Sequence, residues 1–372
     1  MATPYWVTGD PLGASAPVPL KYGPHPDHDI FVWDPNPDVI PSGGYACIVQ
    51  MHGGGNQGGS GWTSNTAVPF GFLEATYGDY SLERNNEVAP VMVCPISYPM
   101  GMTIFSGAAP GGTTGARPLN WHPEPADTVK AAKLAIAWVK SKAAANEAPF
   151  ANVNPDLVFA GGISAGSTWM LSAAFTPPVP ATLYGEDSRP AGLILGHCVP
   201  DINEHDPSTS NTDWMLNGYQ RWFGQGISKA DEIVAAERDL TVSSDDPAGV
   251  KGYHPSGFNE LRRRMAGNGA SIYGSLPIYT QNPTNSRIET TPPWSDDHSA
   301  AQARVLHEYL EETTAYTASH YHAALPNGSE GLASDAVPSA SWAYTWSNQQ
   351  NYELMTQTLI DVGYDITTTP AP

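Results

Sequence analysis

The sequence has few basic residues and very little cysteine. Only 17 lysines and arginines stand against 37 aspartates and glutamates, so the 372-residue chain has a formal net charge of -20. Such a surface repels phosphate backbones and anionic lipids, which argues against nucleic acid and membrane surfaces as partners. The three cysteines are too few for a disulfide framework, and we expect them to be buried, reduced thiols. A bridge between Cys47 and Cys94 requires that their strands be neighbours.

Long apolar segments are also missing. No window reaches the length of a membrane span, and residues 1–20 have neither a basic region nor a continuous apolar stretch typical of a signal peptide. A cytoplasmic enzyme and an exported one whose signal has been removed therefore both stay open, and nothing indicates an oligomeric state. No Cys/His cluster has metal-ligand spacing, so the segment from His25 to His28 is interpreted as a polar loop. We expect no metal and no organic cofactor.

The sequence does contain short apolar segments that alternate with helical patterns. The segments that predict buried strands are residues 28–33, 45–51, 88–99, 156–164, 191–199 and 276–281. Helical patterns at residues 125–146 and directly after Ser164 predict an α/β protein with a parallel sheet. We expect a single domain over residues 1–372. The polar, tryptophan-bearing stretch 200–275 is predicted to be a cap or lid inserted over the sheet.

The first motif with chemical content is Gly162-Ile163-Ser164-Ala165-Gly166, which lies between a predicted strand and a predicted helix. A serine in that setting sits on a tight, strained turn with its hydroxyl exposed above the sheet. The flanking glycines are needed because a Cβ would clash where the strand and the helix nearly touch. The positive end of the helix would also face a developing oxyanion. The motif therefore predicts Ser164 as a nucleophile.

The second motif is His52-Gly53-Gly54-Gly55, which follows a predicted strand upstream of the serine. Glycine amides can approach a ligand closely and donate backbone hydrogen bonds without interference from a side chain. Together with the amide of Ala165, those of Gly53 and Gly54 would form an oxyanion hole.

These two motifs, with PISYP, a helix that carries WVK, and NPDLVFAGGISAGS, resemble the esterase branch related to hormone-sensitive lipase. The resemblance runs in order and spacing over residues 22–200. It implies an α/β-hydrolase fold with a mostly parallel, eight-stranded sheet and helices on both faces. It also implies carboxylesterase chemistry with Gly53, Gly54 and Ala165 as the oxyanion donors.

Two residues refine this resemblance. In that branch the histidine at the position of His52 is usually structural and orients the glycine loop, so we do not count it as a base. Ile163 departs from the pattern, since the branch usually carries an acidic residue directly before the serine. This departure affects the assignment of the chain to that branch, and it does not affect the expectation of an α/β-hydrolase fold.

The base of a catalytic triad is expected late in the chain, in the order serine, acid, histidine. Residues 314–324 (TAYTASHYHAA) predict the last strand running into a loop, where a catalytic histidine belongs. The Ser-His-Tyr piece there resembles the A-S-H-aromatic segment of cutinase-like polyesterases, which favours His320. His322 is the alternative, and two residues apart the side chains would face opposite ways in an extended chain.

The acid has a weaker signal, because no aspartate follows the strand at 276–281 at the usual distance. Glu289 stands four residues before Pro293, the spacing of the D-x-x-V-P step in the family, and is the favoured acid. Asp296 and Asp297 are the alternatives, although their place before a predicted helix also suits a helix cap.

These residues predict a serine carboxylesterase that hydrolyses the carboxylic ester of a small molecule or a polymer through an acyl-enzyme on Ser164. Two other classes share the fold. A non-catalytic binding protein is suggested by the missing conventional aspartate, and a serine peptidase or amidase would use the same nucleophile. Covalent labelling of the serine and cleavage of amides separate the three.

Overall fold

The computed structural model describes the framework of the sheet and two helices that pack on it. The residues it describes are 5–6, 18–34, 40, 43–54, 61, 91–99, 125–174, 188–196, 198, 276–283, 306 and 320–325. The predicted cap at 200–275 lies outside them and stays a prediction, as does the single domain over the whole chain.

Six strands form the parallel part of the sheet, and three of them, β5, β6 and β8, are buried at every position. Buried parallel strands are covered on both faces, which is why their sequences are nearly continuous apolar runs. In chain order they are β5 (Tyr45–Met51), β6 (Val91–Ile96), β7 (Val153–Ile163), β8 (Leu193–Gly196), β9 (Ile278–Pro283) and β10 (His320–Leu325). Their order in the sheet is β6-β5-β7-β8-β9-β10, with every neighbouring pair parallel.

Four two-residue strands continue the sheet beyond β6 in antiparallel pairings. They are β1 (Tyr5–Trp6), β2 (Leu20–Lys21), β3 (Asp29–Ile30) and β4 (Trp33–Asp34). The described residues thus form ten strands, of which six are parallel and four are these short antiparallel pieces. The eight-stranded sheet that the resemblance implies stays a prediction.

The single strand predicted at residues 28–33 is divided in the structure into β3 and β4. Both pieces pair with β6 in one continuous register, Ile30 with Ile96 and Trp33 with Val93. Between them the Phe31 amide donates to the Pro95 carbonyl at 2.9 Å. Proline has no amide hydrogen to return the second bond, so the ladder is interrupted at this point.

Two helices cover the strands that lead to the serine motif. Helix α1 (Pro125–Ala144) agrees closely with the predicted helix, and helix α2 (Ala165–Ala174) starts directly after Ser164. Both pack on β7 and on each other. All but the last residue of α2 are buried, because this helix lies in the main hydrophobic cluster together with the strands.

The strand order reverses between β5 and β7. After β5 the chain adds β6 on one side, and it then returns through α1 to add β7 on the other side. In open parallel sheets a crevice forms outside the carboxyl ends of the strands at such a switch point, and ligands bind there. The residues that follow β5 and β7 are the two glycine motifs, so the topology brings both motifs to one crevice.

Candidate active site

Ser164 occupies the turn between β7 and α2 in a backbone conformation that side-chain-bearing residues rarely adopt. Its φ is 53°, in the left-handed region, and its side chain is half-buried. Its amide donates to the carbonyl of Gly196 at the end of β8 at 2.9 Å. A residue in this region costs on the order of 1–3 kcal/mol and persists only where its surroundings hold it, which is typical of functional sites.

The two flanking glycines are held by close backbone contacts. A Cβ on Gly162 would lie 2.5 Å from the carbonyl oxygen of Gly166, which is the strand–helix contact that the motif predicts. A Cβ on Gly166 would lie 2.3 Å from the Met51 oxygen and 2.5 Å from the His52 oxygen. The second glycine therefore makes room for the end of β5 as well, and the two motifs touch through their backbones.

The carbonyl of Ser164 caps the first turn of α2. It accepts from the amides of Ser167 at 2.9 Å and Thr168 at 3.2 Å, from the Ser167 hydroxyl at 2.6 Å and from the more distant Thr168 hydroxyl at 3.5 Å. Within the part of the chain that the structure describes, the Ala165 amide has no acceptor. It is one of the helix N-terminal donors that lack an intrahelical partner, and it lies at the positive end of the helix dipole.

The glycine loop after β5 is held by His52. This side chain is buried, and its Nδ1 donates to the carbonyl of Gly53 at 2.7 Å. Its ring stacks on Tyr98 with 4.4 Å between centroids, and the Tyr98 hydroxyl donates to the His52 carbonyl at 2.6 Å. Burial lowers the pKa of His52 to about 4, so the imidazole is neutral near pH 7. These contacts fit the orienting role that the family resemblance implies.

The amide of Gly54 belongs to the same peptide unit as the carbonyl that His52 holds. Because the peptide group is planar and trans, fixing the Gly53 oxygen also fixes the direction of the Gly54 N–H. Gly54 has a φ of 101°, which glycine adopts at little cost. The third glycine of the motif lies outside the described residues.

The two candidate bases lie within β10. His320 is its first residue and pairs with Ile278 of β9. Ile278 pairs with Leu193 of β8, and Leu193 pairs with Ala160 of β7. Ala160 precedes Ser164 by four residues, or about 13 Å along a strand. His322 is level with Gly162 by the same register, two residues closer to the serine end of the sheet. Both histidines therefore lie in the strand, whereas the sequence pattern predicts the base where the strand runs into a loop.

The candidate acids Glu289, Asp296 and Asp297 lie outside the described residues, so the acid stays a prediction. Two residues near the serine are not among those that the motifs predict. Ser167 hydrogen-bonds the Ser164 carbonyl, and the Cys198 thiol, just past β8, lies beside Ser167. A hydroxyl three residues after a helix cap is a recognised local pattern and could have been found, whereas the thiol contact needs the tertiary structure.

No group of three or more His, Cys, Asp or Glu side chains among the described residues could hold a metal ion. In the same part of the chain, no helix is long and apolar enough to cross a membrane. The segment from His25 to His28 is a loop between β2 and β3. The His28 amide donates to the His25 carbonyl at 3.0 Å, and the His28 ring stacks on Tyr22.

The parallel strand order, its switch point and the strained serine between strand and helix define an α/β-hydrolase fold. No protein-family model matches the sequence, and no curated protein matches it. The chain is similar to a solved structure of a truncated carbohydrate esterase from gut microbiota, with 12% identity and a TM-score of 0.51, covering 93% of this chain and 95% of that one. This likeness shows the shared fold alone.

Two further solved structures are similar with lower scores. One is a thermophilic esterase from Thermogutta terrifontis, with 15% identity, a TM-score of 0.49 and coverage of 98% of this chain and 97% of that one. The other is an inhibited esterase B from Lactobacillus rhamnosis, with 12% identity, a TM-score of 0.48 and coverage of 87% and 75%. The branch related to hormone-sensitive lipase stays a prediction.

Proposed function

We propose that the protein is a serine carboxylesterase that hydrolyses a carboxylic ester through an acyl-enzyme on Ser164. The observation that carries this proposal is the left-handed backbone of Ser164 between β7 and α2 at the switch point of the sheet. A glycine would fit an inert turn of this shape at lower cost. A serine held there, with glycines on both sides packed against backbone, suits a nucleophile exposed above the sheet.

In this mechanism the Ser164 hydroxyl attacks the ester carbonyl while His320 takes up its proton, and Glu289 holds the imidazole in the required tautomer. The amides of Gly53, Gly54 and Ala165 stabilise the tetrahedral oxyanion, at about 3 kcal/mol per donor. The histidine then protonates the departing alcohol. The same histidine then takes a proton from water as the water attacks the acyl-enzyme. This step releases the carboxylic acid product and regenerates the Ser164 hydroxyl.

His322 is the alternative base, and Asp296 and Asp297 are the alternative acids. Glutamine or asparagine in place of each carboxylate keeps the size of the side chain and removes its charge. The carboxylate whose replacement lowers kcat by more than about tenfold is the acid. Three variants that all keep kcat within that factor would refute the whole set.

The substrate class can be determined with a small panel of esters. Aromatic esters, polyester fragments and acylated sugars are all compatible with the sequence, and one solved structure with the same fold is a carbohydrate esterase. We expect no cofactor in the reaction, since serine, histidine, carboxylate and amides suffice for ester hydrolysis.

The proposal is tested with short and medium p-nitrophenyl esters on the wild type and on Ser164→Ala. We expect turnover by the wild type, a loss of at least about 10³ in the variant, and covalent labelling of Ser164 by a fluorophosphonate. Folded wild-type protein that neither turns over these esters nor takes up the label would favour a non-catalytic binding protein. Labelling together with cleavage of p-nitroanilides would favour a peptidase or amidase.

A further inference from the structure

The carbonyl of Ser164 and the amide of Ala165 form one peptide unit. Because this unit is planar and trans, its C=O and N–H point in opposite directions, and any bond that fixes the carbonyl also aims the amide. The carbonyl points into the first turn of α2, where it accepts from the Ser167 hydroxyl at 2.6 Å and from two amides. The Ala165 N–H, a proposed oxyanion donor, must therefore point away from the helix.

Cys198 lies beside Ser167. Its thiol is fully buried, and burial raises its pKa to about 12, while the neighbouring Ser167 hydroxyl acts in the opposite direction. The thiol is therefore protonated near pH 7. The Ser167 hydroxyl has a single hydrogen, and it goes to the Ser164 carbonyl at 2.6 Å.

The Ser167 hydroxyl therefore donates to the Ser164 carbonyl inside the core. A hydrogen bond in a water-free interior is electrostatically stronger than one in water. A carbonyl that accepts a strong bond withdraws charge from its own amide, so the same bond that aims the Ala165 N–H also makes it a better donor. Ser167 is itself fully buried, so water cannot take over its place.

We propose that Ser167 is a positioning residue for ester hydrolysis, which aims and polarises the Ala165 amide through the Ser164 carbonyl. The inference rests on the proposed function, because it concerns how the oxyanion is stabilised. His52 acts in a parallel way on the Gly53–Gly54 peptide, so each glycine motif has one buried side chain behind its donor.

The test compares Ser167→Ala with Ser172→Ala. Ser172 is a matched control, since it is buried on the same helix and donates to the Thr168 carbonyl at 2.6 Å, a peptide that faces no proposed site. We expect Ser167→Ala to lower kcat about tenfold with KM changed less than about twofold, because the effect is confined to the transition state. In urea unfolding, Ser172→Ala should lose about as much unfolding free energy as Ser167→Ala, but it should keep the wild-type kcat.

A boronic acid that mimics the tetrahedral intermediate gives the second readout. Its affinity for Ser167→Ala should fall by the same factor as kcat, whereas its affinity for Ser172→Ala should not change. Ser167→Thr should restore most of kcat, because a threonine hydroxyl in a helix can also bond the carbonyl three or four residues earlier. An equal loss of kcat in both alanine variants, or no loss in either, would overturn the proposal.

Ser167→Cys keeps the test decisive if Ser167→Ala does not fold. A thiol is a weaker hydrogen-bond donor than a hydroxyl, so this variant should lower kcat about threefold while Ser167→Thr keeps it. An unchanged kcat in Ser167→Cys would refute the role of the hydroxyl. Wild-type turnover that depends on Ser164 while all variants match the wild type would refute this inference alone, whereas no wild-type turnover would refute the proposed function.

Discussion

Replacing Gly166 by alanine tests the contact that joins the two glycine motifs. The added Cβ would lie 2.3 Å from the Met51 oxygen and 2.5 Å from the His52 oxygen, whereas ordinary contacts begin near 3.4 Å. The obstructing atoms are backbone, so no side chain can rotate away. Helix α2 and the end of β5 must separate by about 1 Å, and close-packed interiors resist such a change.

The magnitude follows from two opposing effects. Overpacking of this kind costs about 1–3 kcal/mol. Because the obstructing atoms are backbone and cannot rotate away, we expect the upper value of about 3 kcal/mol. Alanine gains about 1 kcal/mol over glycine in a helix, so the expected net loss of unfolding free energy is about 2 kcal/mol. The separation also displaces the Ala165 amide from those of Gly53 and Gly54, and a shift of about 1 Å can lower kcat about 10²-fold.

Urea unfolding measures the first effect, and p-nitrophenyl ester hydrolysis measures the second. Gly43→Ala is the control, because a Cβ at Gly43 meets nothing within 4 Å. That variant should keep kcat and lie within about 1 kcal/mol of the wild type in stability. If Gly166→Ala matched Gly43→Ala in both assays, the backbone contact between the motifs would not be as the structure has it.

Three other predictions follow from the described residues. Since the folded pKa of His52 is about 4 and its usual value is 6.5, the unfolded chain takes up a proton first as pH falls, and unfolding free energy decreases from about pH 6.5 down to pH 4. Between pH 8 and pH 5 this amounts to about 2 kcal/mol, so urea midpoints of His52→Asn should fall less over the same range than those of the wild type, and an equal fall would contradict the burial of His52. Tyr98→Phe leaves the buried His52 carbonyl without its donor, so we expect a loss of about 1–3 kcal/mol in urea unfolding, and an unchanged midpoint would contradict the contact. All three cysteines are buried and free, so a thiol reagent should react with none in the native protein and with three after unfolding, while a count of one would reveal a bridge.

The sequence predicted the parts of the fold that depend on local patterns. Apolar runs located β5 and β7, helical periodicity located α1, and the glycine spacing located the turn at Ser164. These features succeed because a buried parallel strand or a packed helix imposes its period on its own residues. Cys47 and Cys94 also lie on neighbouring strands, with their sulfurs 3.5 Å apart and both thiols free.

The features that the sequence could not supply depend on residues far apart in the chain. The division of the 29–34 strand arises from Pro95, which lies more than sixty residues later and lacks the amide that would complete the ladder. The contact between Cys198 and Ser167 requires β8 to end beside the start of α2. The same holds for Tyr98, whose hydroxyl reaches the His52 carbonyl only because β5 and β6 are neighbours.

The position of the base can be argued from the strand register together with the sequence. β10 ends at Leu325, and no histidine occurs among residues 326–372, so the stretch that follows this strand contains no candidate. His320 and His322 are level with Ala160 and Gly162, four and two residues before Ser164. β10 also lies three strand spacings from β7, or about 14 Å.

A histidine that takes the proton of Ser164 must come within hydrogen-bond reach of its hydroxyl. If His320 is the base, His320→Gln lowers kcat by about 10³ or more and leaves stability nearly unchanged, while His322→Gln keeps kcat within about threefold. The reverse pattern would assign the base to His322, which the register brings two residues closer to the serine. If both variants kept kcat, the base would have to be another histidine, and the assignments of His320 and of His322 would both be wrong.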